Sequence, residues 1–305
     1  MRNLKYQFLR AINGSFRERM DKHSDKANKM RNTNKIYSYS SRKNLIKMSS
    51  NFSNYMREHY PEVKYVKDIQ PDHIQNFLVS KNNGECSSIT LSQYKAQLCK
   101  LSKVVNAQYG CDTDYTNGVV VPNSIKNGGG KIRNVMMLEK DYKTLLDNST
   151  NDNFKNGLQL SYHCGLRASE VSKVQKRDYD VSNQTLQIVD SKGKRSRTIQ
   201  LNDKQNKVVK SIMDKLDKPK DRVCSVQTES LQQSFRRELK KNGLSEKYTD
   251  TSFHSCRKSA ATRHYQECRE SGKSVQQSLD ATSKYLGHNE NRNDLMREYV
   301  CCEIV

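Results

Sequence analysis

The sequence predicts a mainly α-helical fold with a small β-sheet, arranged as two domains. Three features carry that expectation. Apolar residues recur at steps of three and four along most of the chain, and the period drops to two only between about residues 186 and 201. An aperiodic stretch holding Pro122 and the run Gly128-Gly129-Gly130 separates the two helical halves. A length of 305 residues suits about two ordinary domains.

Taken in order, residues 1–39 read as a basic N-terminal segment. Residues 40–110 read as a small helical domain, because Leu45, Met48, Phe52 and Tyr55 make one apolar stripe and Leu91, Tyr94, Leu98, Leu101 and Val105 another. Between them Pro71 opens a third helix, with Asp72 in its first turn. Residues 111–130 read as a linker and residues 131–305 as the second domain. In that domain Leu138, Tyr142, Leu145 and Leu146 predict one helix, and a second runs from Asn153 to about Cys164. Leu186 and Ile188, then Ile199 and Leu201, alternate with polar neighbours around Asp190-Ser191-Lys192-Gly193-Lys194, which predicts a β-hairpin with a basic tip. Helical spacing resumes at Val208, Val209, Ile212, Met213 and Leu216, again at Leu231, Phe235 and Leu239, and from Ser255 to about Glu270.

Charge narrows the function. There are 54 Lys and Arg against 33 Asp and Glu, a net +21, which calls for an anionic partner. Residues 1–47 carry 13 basic and 3 acidic side chains, so nearly half the excess lies in the first sixth of the chain. The apolar fraction is 34% with no Trp, so the cores must be economical. No apolar run long enough to cross a membrane is present and the first residues lack the apolar stretch of a signal peptide, which excludes membrane and secreted readings. Nine scattered cysteines without a Cys-x-x-Cys pair signal neither a disulfide framework nor a zinc ribbon, and fit a reducing, cytoplasmic setting. His264 with Cys268, and His254 near Cys256, lack a second ligand pair at zinc spacing, so no metal is expected.

Five features of the second domain converge: Gly165-Leu166-Arg167-Ala168-Ser169-Glu170, the Lys192-Gly193-Lys194 hairpin tip, His254-Ser255-Cys256-Arg257, Leu286-Gly287-His288, and Tyr299. Each alone is ordinary. In this order they resemble the boxes of the tyrosine recombinase, or phage integrase, family, and the resemblance extends over nearly the whole chain.

The chemistry is coherent without the family name. Attack on a phosphodiester puts extra negative charge on the equatorial oxygens of phosphorus, and planar guanidiniums such as Arg167 and Arg257 grip paired oxygens where a lysine cannot. A phenol with an ordinary pKa of about 10 needs nearby cations or a base before it can attack. The resemblance implies the roles. Tyr299 attacks the scissile phosphate to give a 3′-phosphotyrosyl link, Arg167 and Arg257 stabilise the transition state, and Lys192, with Lys194 as alternative, protonates the leaving oxygen. His254 assists proton transfer, His288 hydrogen-bonds the phosphate, and Glu170 is a supporting carboxylate. Rejoining then needs no cofactor, neither ATP nor metal.

The resemblance further implies a helical, SAM-like core-binding domain, an α-rich catalytic domain, closure of the two around a duplex, and a homo-tetramer on specific target DNA. Residues before 40 would then be a helix touching flanking DNA or a neighbour. Arg42, Lys43, Lys47, Lys95, Lys100 and Lys103 are the candidate phosphate contacts, with Lys194 at the hairpin tip. Partners are expected to be double-stranded DNA and further copies of the chain, with no membrane, in the cytoplasm at the nucleoid. Two departures stand out. The interval from His288 to Tyr299 is longer than in the family pattern, and Glu267 to Lys273 looks like an inserted turn. Tyr285 is the competing phenol but lies on the wrong side of His288. Val300 to Val305 is apolar enough to pair with a neighbouring subunit, or to remain free. The rival functions are relaxation of DNA by a type IB topoisomerase-like enzyme and DNA binding by a catalytically inactive accessory protein.

Overall fold

The computed structural model describes residues 3–18, 25, 28, 34–84, 86–123, 135–189, 196–249, 251–288 and 292–302. Two compact units emerge, Met1–Lys131 and Ile132–Val305. Among the described residues no helix is long and apolar enough to cross a membrane.

Among the described residues the N-terminal unit has four α-helices, α1 (Leu4–Gly14), α2 (Tyr39–His59), α3 (Pro71–Ser80) and α4 (Ser88–Tyr109). Side chains of Asn3, Ser38 and Ser87 cap the first, second and fourth by accepting from Tyr6, Ser41 and Thr90 backbone N–H groups. Pro71 opens α3 with Asp72 in its first turn, as expected. The predicted stripes face one core in which Phe52 meets Phe77 edge to face at 5.2 Å.

Two sequence boundaries change. Within the expected segment 1–39, helix α1 does not stand apart: Leu4, Phe8, Ala11 and Ile12 are buried in the same core as α2 and α4. Burial of a side chain like Phe8 contributes about 1.5–3 kcal/mol, so the basic residues around it decorate a structural helix. Nor does the chain leave the domain at residue 110. Tyr115 is fully buried and donates from its hydroxyl to the Val66 carbonyl at 2.5 Å, and Val119 is buried beside it. The Gly128-Gly129-Gly130 run lies outside the described residues.

The C-terminal unit begins with α5 (Glu139–Asn148) and α6 (Asp152–Cys164), then a single-turn helix α7 (Ala168–Val171). A three-stranded antiparallel sheet follows in the order β1 (Tyr179–Asp180), β2 (Thr185–Ile188), β3 (Arg197–Gln200). Its register pairs Leu186 with Ile199 and Ile188 with Arg197, so the predicted alternation puts Leu186, Ile188 and Ile199 on the core face. The hairpin tip, with Lys192 and Lys194, lies outside the described residues. Helices α8 (Asp203–Met213), α9 (Thr228–Lys241), α10 (Phe253–Glu270), α11 (Val275–Tyr285) and α12 (Asn293–Tyr299) complete the unit. The long interval from Arg257 to His288 is filled by the rest of α10, a turn at Gly272 with φ 85°, and α11. The end of the chain folds back in cis as far as it is described: Val300 is buried, the Cys301 N–H donates to Thr262 Oγ1 of α10 at 3.0 Å, and Cys302 packs on the same cluster.

Candidate active site

Each predicted box owes its place to a local device. Helix α6 ends at Gly165, whose φ of 67° is a left-handed cap, and Leu166 is fully buried. That fixes Arg167 as the residue that opens α7, with its own N–H donating to Glu170 Oε2 at 2.9 Å. Helix α10 starts at Phe253, two residues before the expected Ser255, so His254 and Arg257 lie one turn apart on one helical face. Gly287, with φ 72°, turns the chain after α11 and presents His288. Tyr299 is the last residue of α12.

These devices converge. Glu170, 1% exposed, accepts from Arg167 Nη1 at 2.6 Å and from both terminal nitrogens of Arg197, at 2.9 and 3.0 Å. Arg257 is fully buried; it donates to the Gly165 and Leu286 carbonyls and lies 3.8 Å from Glu170. Its Nε–H has no acceptor among the described residues. Taken by themselves, these three guanidiniums and one carboxylate sum to two positive charges.

His288 Nε2 sits 3.1 Å from Arg167 Nη2 and 3.4 Å from Arg257 Nη2. Guanidinium nitrogens only donate, so Nε2 accepts and the ring proton resides on Nδ1. Burial, then the charges of Arg257, Arg167, Arg292 and Arg197, push the His288 pKa down to about 3, so the imidazole is neutral at physiological pH. Burial and the neighbouring Arg167 likewise lower Arg257 to about 10, which leaves it protonated.

The phenol completes the group. The Tyr299 ring lies 4.9 Å from the His254 ring and 5.6 Å from that of His288, with the Arg257 guanidinium carbon 5.7 Å away. Tyr285 is elsewhere engaged: its hydroxyl donates to the His163 carbonyl and receives Gln205 Nε2, both at 3.2 Å, its ring stacks on His264 at 4.3 Å, and burial raises its pKa. Only one phenol of the two therefore faces the arginines.

The structure thus gathers Arg167, His254, Arg257, His288 and Tyr299, with Glu170 beneath them. Lys192 and Lys194 lie outside the described residues. Sequence reasoning missed Arg197, although its alternation with Ile199 and Leu201 marked it as an inward-facing arginine. Among the described residues no group of three or more His, Cys, Asp or Glu is placed to hold a metal ion. Apart from Lys194, the DNA-contact candidates belong to the N-terminal unit and differ among themselves. Lys43 and Lys47 of α2 are exposed. Arg42 donates to Asn13 Oδ1 at 2.8 and 3.1 Å, Lys95 to the Val119 carbonyl at 2.6 Å, and Lys100 to the Lys35 carbonyl at 2.9 Å. Lys103 is half-buried on α4.

A family model described as "Phage integrase family" matches residues 136–293, just over half of the chain. No curated protein sequence matches. Among solved structures, XerH site-specific recombinase bound to a palindromic difH substrate is similar with a TM-score of 0.63 at 17% identity, covering 98% of this chain and 92% of that one. A lambda integrase dimer bound to a COC′ core site gives 0.62 at 14% identity, over 92% of this chain and 77% of that one. The Tn1549 transposon integrase in complex with a circular intermediate DNA gives 0.61 at 13% identity, over 98% and 95%. At such identities the likeness is one of fold.

Proposed function

The chain belongs to the phage integrase family of tyrosine recombinases, and on that footing we propose that it is a site-specific DNA recombinase that cleaves and rejoins duplex DNA through a 3′-phosphotyrosyl intermediate. The observation that carries the reading is the setting of Tyr299. It lies against Arg257, His254 and His288, and the buried Arg257 Nε–H lacks an acceptor where a phosphate oxygen would supply one.

The Tyr299 oxygen attacks phosphorus and the bond to the 5′ oxygen breaks. The phenol proton passes to a base, for which His254 is the adjacent ring. Arg167 and Arg257 bind the equatorial oxygens. As the phosphate takes up guanidinium donors, His288 turns its Nδ1–H toward it. Lys192, with Lys194 as the alternative, protonates the departing 5′ oxygen. A 5′-hydroxyl from another strand reverses the sequence, so the broken bond's energy is kept in the phosphotyrosine and no cofactor is consumed. Exposed Lys43 and Lys47 contribute affinity along the backbone, and exchange between two duplexes requires four copies of the chain. Integration, excision or resolution of a mobile element or replicon, on cytoplasmic DNA, is the setting this activity serves.

The test begins with selection of bound duplexes from a random library. Winners are placed as pairs on a plasmid and incubated with the protein. Recombined products that need both sites support the proposal. Relaxation of plasmids lacking the site indicates the topoisomerase alternative, and binding with neither product indicates an accessory protein.

A further inference from the structure

We propose that Arg197 is a positioning residue of this site: by taking both oxygens of Glu170 and the Tyr285 carbonyl, it fixes Arg167, Arg257 and His288 in one arrangement and leaves two positive charges for the bound phosphate. The guanidinium forks onto Glu170 at 2.9 and 3.0 Å and its Nε–H donates to the Tyr285 carbonyl at 3.2 Å. Its side chain is 10% exposed, too deep for a solvated surface arginine.

Two consequences follow from that placement. The first is electrostatic. Glu170 lies within reach of Arg257 at 3.8 Å and already holds Arg167, so without Arg197 its carboxylate would bind both remaining guanidiniums. The net charge of this cluster of four side chains would fall from two to one, and the groups needed by the phosphate would be tied to Glu170. The second is steric. A Cβ at Gly287 would stand 2.8 Å from Arg197 Cδ, so the Leu286-Gly287-His288 turn is wrapped around the arginine stem. Through that turn the strand β3 sets where His288 meets Arg167 and Arg257.

The effect on His288 is independent of the recombinase reading; the effect on cleavage rests on it. Two measurements on the full chain therefore separate them. The His288 ring, faced by Arg167, Arg257, Arg197, Arg292 and the Tyr299 ring with Glu170 behind the arginines, is followed by NMR through a pH titration. In Arg197→Gln a cation is lost and a carboxylate is freed, and both changes favour the imidazolium, so His288 is expected to titrate at higher pH than in the wild type. Cleavage is followed in single turnover at saturating protein on a nicked duplex of the selected site. Arg197→Gln should slow it by about 100-fold, with DNA affinity within about threefold of wild type. The double variant Glu170→Gln/Arg197→Gln should cleave faster than Arg197→Gln alone, because the freed carboxylate is gone; a plain structural staple would give no such recovery. If Arg197→Gln does not unfold cooperatively in urea, Arg197→Lys, which keeps the charge and loses the fork, takes its place with a smaller slowing. An unchanged His288 titration, or cleavage within about threefold of wild type, overturns the proposal. Absence of cleavage by the wild type itself counts against the recombinase reading, and the titration then decides on Arg197.

Discussion

Replacing Arg257 by Lys keeps the charge and removes the fork, and so isolates geometry from electrostatics. The wild-type guanidinium donates to two buried carbonyls, Gly165 and Leu286, and offers its Nε–H to nothing else among the described residues. A lysine ammonium is a point donor that cannot span both carbonyls and the phosphate position together. One carbonyl left without a donor costs about 1–3 kcal/mol of stability. Losing a preorganised donor to the transition-state oxygens slows cleavage by about 10²–10³, equivalent to about 2.7–4 kcal/mol. His288 should stay neutral, because its burial and the positive charge that together depress its pKa both remain. Urea denaturation gives the first quantity and single-turnover cleavage at saturating protein the second. Cleavage by Arg257→Lys within about threefold of wild type would refute the claim that the planar fork is what the site requires.

Stability should fall in acid. The folded His288 stays neutral down to about 3, while the unfolded ring takes its proton at about 6.5, so between those values the unfolded chain binds more protons. The loss approaches about 1.4 kcal/mol per pH unit for this group; His163 and His264, both held down to about 4 by burial, act in the same direction. Urea denaturation across that range should show a shallower slope in His288→Gln. Phe8→Ala should destabilise the N-terminal unit by about 3–5 kcal/mol, visible as an earlier thermal transition by circular dichroism, and deleting α1 should unfold that unit instead of merely weakening DNA binding. Lys43→Ala with Lys47→Ala should lower the steepness of the plot of log affinity against log salt by about 2, measured by duplex titration at several salt concentrations.

Periodicity was informative wherever an element was long. Leu45, Met48 and Phe52, or Leu231, Phe235 and Leu239, point into cores as spaced. Short or irregular features left weaker marks. The apolar stripe of Leu4, Phe8, Ala11 and Ile12 was present but lay under a conspicuous excess of charge, and charge says little about which face of a helix is buried. Tyr115 fastens an aperiodic stretch through one side chain, which no period can reveal. Strand β1 spans two residues, too few for alternation to register. In the site, Arg167, His254, Arg257, His288 and Tyr299 were legible as an ordered set of motifs. Arg197 escaped because a basic hairpin suggests solvent, although its step of two from Ile199 already placed it on the core face, where an arginine must find a carboxylate.

The central claim is that Tyr299, and no other phenol, becomes joined to DNA. The direct measurement is to trap the protein on a nicked duplex of its selected site, digest the complex, and identify the modified peptide by mass spectrometry. A nucleotide on the peptide holding Tyr299, absent in Tyr299→Phe and retained in Tyr285→Phe, is the predicted result. An adduct on any other residue, or one that survives Tyr299→Phe, would contradict the account.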